Sequence, residues 1–203
     1  MSSPFILQLY QKPILVVGGG SIAERKIAYL LKEKADVTLI SPTLTNGLQS
    51  QVNQLKVKRT TLTTGDILEE FCTRLKLNWR SFFLVVVATD SFPINEELSR
   101  GLLSYVSLIN VVDNPQLSSF YFPAVVDRGA LKLSVTTSGK SPILAKKIRN
   151  YLSEMFGSEY DSYLEELHYI RSELQKIEPD PIKRKELLEE RTRFPIPDSK
   201  DHC

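Results

Sequence analysis

The stretch Val16-Val17-Gly18-Gly19-Gly20-Ser21-Ile22-Ala23-Glu24-Arg25-Lys26 decides the fold of this 203-residue chain. An apolar run enters the glycine cluster, and the cluster opens into a helical pattern with apolar residues on one face. This order is typical of the phosphate-binding corner of a dinucleotide fold. Gly18 permits the tight turn and Gly20 lets the backbone approach a pyrophosphate. The helix start offers unpaired N–H groups to the anion. The alternative is a glycine turn with a structural role only.

Composition and charge limit the class of protein. The chain is 42% hydrophobic and 25% charged, as in ordinary globular proteins. A net charge of +2 is too small to indicate a nucleic-acid partner. No apolar run approaches the ~20 residues of a membrane span, and the first residues lack a signal-peptide pattern. Because Cys72 and Cys203 give no disulfide framework, we expect reduced thiols in a cytoplasmic protein without a membrane partner.

Apolar runs alternate with helical patterns along the first half of the chain. This alternation predicts the α/β class, with a Rossmann-like parallel sheet whose strands all end at one edge. Ligands bind outside that edge. The predicted strands are 14–17, 37–40, 57–61, 82–88 and 106–112, and the predicted helices are 23–34, 46–55, 67–77 and 94–104.

The alternation stops near Asp113-Asn114-Pro115. Two extended segments, 119–126 and 130–136, are predicted on either side of a turn at Asp127-Arg128-Gly129. Ser141 and Pro142 form a typical helix start, and apolar stripes then predict two helices and a charged final helix at about 182–192. Since this part is too small for a deep core, we expect it to pack on the sheet domain or on a second subunit.

Four segments are predicted at the carboxyl edge of the sheet: Gly18–Ile22, Ser41-Pro42-Thr43, Ala88-Thr89-Asp90 and Asp113-Asn114. We predict that Gly18, Gly19, Gly20, Ser21, Ile22, Pro42, Thr43, Thr89 and Asp90 contact the cofactor, although Thr-Asp after a strand is also a common helix cap.

Two residues at this edge leave alternatives open. Asp113 ends an apolar strand where substrate meets cofactor, so its carboxylate can act as a general base if burial raises its pKa. The other interpretation is a turn residue that bonds nearby backbone. Ser41 stands where an NAD site usually has an acid, and no arginine follows at once to hold a 2′-phosphate. The residues therefore do not decide between NAD and NADP.

The loop Thr137-Ser138-Gly139-Lys140-Ser141 is rich in hydroxyls, carries a lysine and opens a helix. These properties suit an anionic group such as a carboxylate. The alternative is a capped helix with a solvated basic face. His168 and His202 lack a partner at the spacing of metal ligands, so no metal site is predicted.

Taken together, these motifs resemble the siroheme-synthase N-terminal family, the precorrin-2 dehydrogenases and bifunctional dehydrogenase–ferrochelatases. The similarity runs from about Phe5 to about Leu152. A single glycine motif is loose, but five motifs in this order and spacing are specific. They are the glycine stretch 16–26, Ala-Thr-Asp (88–90), Asn-Val-Val-Asp (110–113), Phe-Pro-Ala-Val-Val-Asp-Arg-Gly (122–129) and Thr-Ser-Gly-Lys-Ser-Pro (137–142).

The resemblance implies NAD-dependent oxidation of precorrin-2, a tetrapyrrole with eight carboxylates, to sirohydrochlorin. It implies a homodimer with a Rossmann domain (1–113), a dimerisation and substrate-loop region (114–150) and a small helical domain (151–203). Ser21, Ile22, Pro42 and Thr43 correspond to residues that touch NAD. Asp113 corresponds to the carboxylate implicated in catalysis, and Thr137 and Ser138 to the substrate pocket. We further expect Lys140 and Arg128 to hold substrate carboxylates.

The chain departs from the family pattern at several points. Asn114 stands where many relatives have a second acid, and the loop at 137–140 has one glycine where others often have two. No methyltransferase domain follows, which predicts the short, stand-alone form. Residues from Gly157 onward resemble little else. Two alternatives are a bifunctional enzyme that also inserts iron and a nucleotide- or tetrapyrrole-binding protein without turnover.

Overall fold

The computed structural model describes residues 3–65, 73–112 and 114–192. Asp113, Cys72, Cys203, His202 and most of the predicted helix at 67–77 lie outside the described residues. The chain forms two compact units, one from Ser3 to Tyr121 and the other from Phe122 onward. The subdivision of the second part at residue 150 stays a prediction.

The first unit is built on a parallel sheet, which confirms the predicted α/β class. Within the described residues the sheet has five strands in the order β3-β2-β1-β4-β5, the first five positions of a doubly wound dinucleotide fold. The strands are β1 (Pro13–Val17), β2 (Asp36–Ile40), β3 (Lys56–Lys58), β4 (Leu84–Val87) and β5 (Ile109–Val111). The helices are α1 (Ser21–Lys32), α2 (Asn46–Ser50) and α3 (Phe92–Leu102), with 3₁₀ turns at Val52–Gln54, Trp79–Ser81 and Pro115–Leu117.

The register of the strands aligns their carboxyl ends. Val17 pairs with Ile40 on one side and with Val87 on the other, and Val87 pairs with Val111. Strands β1 and β4 are buried on both faces, because helices cover the sheet on each side, and this explains their continuous apolar sequences. The loops that follow these strands therefore meet at one edge, as predicted.

Serine side chains cover the outer edge of β5. The Ser119 hydroxyl accepts a hydrogen bond from the Ile109 amide at 2.8 Å, and the Ser118 hydroxyl accepts one from the Val111 amide at 2.9 Å. Ser118 also lies 2.9 Å from the carbonyl oxygen of Asn114. The exposed backbone groups of an edge strand are thereby satisfied without another strand.

The second unit contains an antiparallel hairpin and three helices in its described part. The hairpin consists of β6 (Ala124–Arg128) and β7 (Leu131–Val135), and the helices are α4 (Pro142–Met155), α5 (Glu159–Ile177) and α6 (Pro181–Arg191). Val126, Ala145, Tyr160 and Leu174 are buried. Tyr160 packs against Phe156 with ring centroids 5.2 Å apart.

The position of the hairpin turn corrects the sequence prediction. Asp127 and Arg128 belong to β6, and the two-residue loop is Gly129-Ala130. Gly129 has φ +65°, in the left-handed region. A two-residue hairpin of type II′ needs a glycine at its first loop position, so the turn begins two residues later than predicted.

Other boundaries also differ from the predictions. The helix predicted over 46–55 divides into α2 and a 3₁₀ turn, and the strands predicted over 57–61, 82–88 and 106–112 are shorter. The Ser141 hydroxyl accepts from the Leu144 amide at 3.2 Å, which confirms the predicted start of α4. None of the helices in the described ranges is long and apolar enough to cross a membrane.

Candidate functional site

Gly18 directly follows β1 and has a backbone conformation that favours glycine. Its φ is +113°, and its amide donates to the carbonyl oxygen of Ile40 at 2.8 Å. A Cβ built on Gly18 would lie 2.5 Å from the carbonyl carbon of Ala88 and 2.9 Å from the amide nitrogen of Thr89. The chain therefore leaves β1 in close contact with the backbone after β4, and a side chain at this position has no room.

Gly19 and Gly20 serve different purposes. A Cβ on Gly19 would lie 2.6 Å from the Ser41 hydroxyl oxygen, so Gly19 allows the loop after β2 to approach. A Cβ on Gly20 would meet no described atom within 4 Å. Gly20 is the N-cap of α1 and supplies no side-chain cap, which leaves the first N–H groups of the helix available to an anion. This open approach to a helix N-terminus fits a pyrophosphate.

The loop after β2 lies beside the glycine corner. Ser41 is 3% exposed, and its hydroxyl donates to the carbonyl oxygen of Thr43 at 2.6 Å, so it is occupied within the loop. Pro42 and Thr43 are exposed. The Thr45 hydroxyl donates to the Glu24 carboxylate at 2.5 Å, and the Thr45 amide to the carbonyl oxygen of Gly19 at 3.2 Å. The carboxylate near this loop thus comes from α1, which sequence reasoning did not anticipate.

A cavity of about 300 Å³ lies at the carboxyl ends of β4 and β5, next to the first turn of α1. Its volume is at the lower end of the range for ligand pockets, which suits a planar ring with a small substituent. Predicted site residues Ile22, Thr89 and Asp90 contribute to its wall. The lining residues are Ile22, Ala88, Thr89, Asp90, Phe92, Asn95, Val111, Val112 and Asn114.

Asn95 was not predicted as a site residue. Its carboxamide binds Thr89 through the hydroxyl, the amide and the carbonyl group of that residue. The Thr89 hydroxyl therefore donates a hydrogen bond to Asn95 within the protein. The available signal was an asparagine inside an apolar helical pattern, where this residue type is unfavourable.

In the second unit, residues 137–140 form a tight turn. The Lys140 amide donates to the carbonyl oxygen of Thr137 at 3.0 Å, and Ser138 and Gly139 have φ values of +53° and +78°. Two successive positive φ values with this hydrogen bond are the pattern of a type I′ turn. The Ser141 amide donates to the Thr137 hydroxyl at 3.0 Å. The turn leaves Lys140 exposed at the start of α4.

Arg128 has a structural task that differs from the predicted one. Its Nε donates to the carbonyl oxygen of Phe156 at 2.7 Å, and its Nη2 to the carbonyl and hydroxyl oxygens of Ser153 at 2.9 Å and 2.8 Å. The guanidinium therefore satisfies carbonyl groups at the C-terminal end of α4. Because these donors are used within the protein, we do not include Arg128 among the substrate contacts.

Within residues 3–65, 73–112 and 114–192, no group of three or more His, Cys, Asp or Glu side chains is arranged to hold a metal ion.

The sheet order, the glycine corner and the cavity define a dinucleotide-binding protein of the Rossmann class. A family model described as NAD(P)-binding matches residues 5–124, and a second, described as sirohaem biosynthesis protein central, matches residues 128–155. The chain belongs to this NAD(P)-binding family of sirohaem biosynthesis proteins, which confirms the resemblance stated from the motifs.

Individual relatives agree with this membership. Siroheme synthase 1 of Klebsiella pneumoniae subsp. pneumoniae is 32% identical over 182 residues, which are 85% of this chain and 34% of that protein. Siroheme synthase of Psychromonas ingrahamii is 37% identical over 154 residues, or 75% of this chain and 30% of that protein. The chain spans about a third of the length of these curated relatives.

A solved structure, SirC, precorrin-2 dehydrogenase, is similar over nearly the whole of both chains. The TM-score is 0.74 and the sequence identity 28%, with 95% of this chain and 90% of that chain covered.

Proposed function

We propose that this chain oxidises precorrin-2 to sirohydrochlorin with NAD as the hydride acceptor. The likeness to SirC, precorrin-2 dehydrogenase, over 95% of this chain carries the proposal. The glycine corner supports it independently, because Gly18 and Gly19 let the neighbouring loops approach, while Gly20 leaves open space at the start of α1 where a pyrophosphate can bind. NAD supplies the redox chemistry when bound, and the chain supplies binding and orientation.

We assign the cofactor to the first unit. Gly18 and Gly19 shape the turn, Gly20 leaves room for the pyrophosphate, and the start of α1 at Ser21 and Ile22 offers N–H donors to it. Pro42 and Thr43 border the adenosine side. The cavity at Thr89 and Asp90 takes the nicotinamide, with Ile22 forming an apolar wall.

NAD is preferred to NADP in this proposal. A 2′-phosphate is usually held by a cation that directly follows β2 in the chain, whereas Ser41-Pro42-Thr43 supply none and the Ser41 hydroxyl is turned to Thr43. The Glu24 carboxylate beside Thr45 adds negative charge to the same loop, and like charges repel. Both observations favour the cofactor without the additional phosphate.

For the substrate we propose the turn at Thr137, Ser138 and Lys140, because precorrin-2 carries many carboxylates and Lys140 is an exposed cation at a helix start. Asp113 is proposed to accept the proton that accompanies oxidation. This role rests on its place in the sequence, two residues after β5, and on the family resemblance.

We further propose a homodimer in the cytoplasm. Helix α4 presents Ile143, Leu144, Ile148 and Tyr151 with exposed fractions of 73%, 49%, 38% and 55%. Apolar side chains at this spacing lie on one side of a helix and favour burial against a second copy. The cytoplasmic location is supported by the two cysteines, which give no disulfide framework.

The decisive experiment mixes the protein with precorrin-2 and NAD without oxygen and follows NADH by its absorbance. We expect NADH and sirohydrochlorin to form in equal amounts, with a higher kcat/KM for NAD than for NADP. Binding of both ligands without NADH formation would contradict the enzyme and establish a binding protein. Iron addition to the product mixture tests separately whether siroheme is formed.

Two variants separate the proposed roles in this assay. Lys140→Ala is expected to raise the KM for precorrin-2 several-fold at low salt, with a smaller effect at high salt, because screening weakens exposed charge pairs. Asp113→Ala is expected to lower kcat if the carboxylate moves a proton in the transition state. An unchanged kcat would remove the base role and leave the dehydrogenase proposal intact.

A further inference from the structure

We propose that Asn95 is a positioning residue that shapes the nicotinamide end of the cofactor site through Thr89. This inference rests on the proposed function, since it concerns the same cavity. It adds a residue that belongs to none of the motifs on which the family resemblance depends.

The first step is the geometry of the contact. Asn95 Oδ1 accepts from the Thr89 hydroxyl at 2.6 Å and from the Thr89 amide at 3.3 Å, and Nδ2 donates to the Thr89 carbonyl oxygen at 3.0 Å. One carboxamide therefore binds both backbone groups and the side chain of a single residue. The Ser91 amide donates to the Thr89 hydroxyl at 3.2 Å, which extends the network around the turn after β4.

The second step is the cost of placing an asparagine there. Asn95 is 7% exposed and lies in the first half of α3, next to the apolar residue Leu98 that faces the core. Asparagine has a low helix propensity, and a buried carboxamide without partners is destabilising. A leucine has a higher helix propensity and needs no hydrogen-bond partner. The polar residue is therefore explained by its contacts to Thr89.

The third step links Thr89 to the site. Thr89 is the second residue after β4 and lines the cavity together with Asp90, and its amide nitrogen lies close to the position that a Cβ of Gly18 would take. The position of this backbone segment thus sets one wall of the cavity and borders the glycine turn. Without Asn95 the Thr89 carbonyl and amide lose their partners, and the segment is free to rearrange.

The contacts of the adenosine side are separate from this network. The loop after β2 is held by Ser41, Thr43, Thr45 and Glu24, none of which contacts Asn95 in the hydrogen bonds described above. Loss of Asn95 should therefore disturb the nicotinamide half of the cofactor much more than the adenosine half.

The test uses two ligands that share everything except the nicotinamide. ADP-ribose reports the adenosine and pyrophosphate contacts, and the emission of bound NADH reports the surroundings of the nicotinamide. The variants are Asn95→Leu, which removes the hydrogen bonds, and Asn95→Asp, which keeps the shape but places an oxygen against the Thr89 carbonyl. Ser99→Ala is the matched control, because Ser99 is a buried residue of the same helix whose hydroxyl donates to Leu117 at 2.8 Å.

We expect the Kd of ADP-ribose to change less than about twofold in both Asn95 variants. The Kd of NADH should rise about tenfold, as for the loss of one anchored group. The gain in NADH emission on binding should fall by about half or more. Ser99→Ala should match the wild type in both ligands. Equal weakening of both ligands, or unchanged NADH emission in the folded variants, would overturn the positioning role. A wild-type chain that binds neither ligand would instead refute the proposed function.

Discussion

At the scale of single residues, Gly18 combines two requirements that no side chain meets. Its φ of +113° is strained for any L-residue, and the backbone of Ala88 and Thr89 fills the space that a Cβ would take. We expect Gly18→Ala to lower the free energy of unfolding by about 2–4 kcal/mol, the sum of a φ penalty and an overpacking penalty. Urea denaturation measures this difference.

Gly65→Ala is the control that separates the two penalties. Gly65 has φ +93°, but a Cβ there would meet no described atom within 4 Å. Its substitution should therefore cost only the φ penalty, about 1 kcal/mol. Equal destabilisation by both substitutions would show that the contact with Ala88 is unimportant.

A substitution at Gly20 should have the opposite effect from one at Gly18, because it should weaken NAD binding and not lower the free energy of unfolding. Its φ of −81° suits any residue, and the space around it is open. Gly20→Asp places a negative charge where the pyrophosphate binds, so we expect NAD affinity to fall at least about tenfold with little change in the free energy of unfolding.

Gly20→Asn is the matched control for Gly20→Asp, because it has the same size without the charge. Calorimetric titration of both variants with NAD separates the two effects. If the asparagine variant binds as weakly as the aspartate variant, size and not charge blocks the site. If both bind like the wild type, the cofactor assignment is wrong.

The residue scale also shows where sequence reasoning ends. Gly18 and Gly20 were predicted because their roles depend on neighbours in the chain. The hydrogen bonds of Arg128 could not be predicted, because its partners, Ser153 and Phe156, are 25 and 28 residues away. Asn95 binds Thr89, which is only six residues away, but α3 begins between the two residues. The direction of the Asn95 side chain therefore follows only from the folded backbone.

At the scale of elements, the spacing of apolar residues predicted which segments form strands and helices. It predicted less reliably where these segments end. The apolar run 82–88 continues beyond the four residues of β4 that pair with neighbours, because burial and strand pairing are different properties. The helix predicted over 46–55 is interrupted at Gln51, which has φ −99° and ψ 5°. The start of the hairpin turn was placed two residues early, since Gly129 decides it and Asp127 does not.

Arg128 joins the hairpin to the end of α4, and this contact gives a prediction for the element. Arg128→Ala should lower the free energy of unfolding by about 2 kcal/mol, because it leaves part-buried carbonyl groups at Phe156 and Ser153 without their charged donor. The KM for precorrin-2 should stay near the wild-type value at temperatures where the variant is folded.

Lys147→Ala is the control for Arg128→Ala, since Lys147 is an exposed cation on α4, the helix that Arg128 contacts. This substitution should change the free energy of unfolding by less than about 0.5 kcal/mol. Thermal denaturation and steady-state kinetics together decide the role of Arg128. A raised KM with unchanged stability would restore the substrate contact that the sequence suggested.

At the scale of the whole molecule, the two compact units contain different candidate functional features. Residues up to Tyr121 contain the sheet, the glycine corner and the cavity, and residues from Phe122 contain the turn at Thr137–Lys140 and the apolar side of α4. In the described part of the second unit, few residues are buried, and they include Val126, Ala145, Tyr160 and Leu174. So small a core is typical of a region that gains stability by association.

The last prediction concerns that association. Ile148→Glu places a charge in the middle of the apolar side of α4, between Leu144 and Tyr151. In a two-fold symmetric dimer each copy carries the change, so the loss of burial counts twice, roughly 3–6 kcal/mol in total. The Kd of the dimer should therefore rise at least about 100-fold. Sedimentation velocity across a concentration series measures this shift.

Ile182→Glu is the control for this change, because Ile182 is a similarly exposed isoleucine, at 71%, on α6 and not on α4. It should leave the Kd of the dimer within about twofold of the wild-type value, since surface substitutions away from an interface have small effects. A wild-type chain that sediments as a monomer at micromolar concentration contradicts the dimer itself. A dimer that survives Ile148→Glu but not Ile182→Glu places the interface on α6, and the apolar side of α4 then needs another explanation.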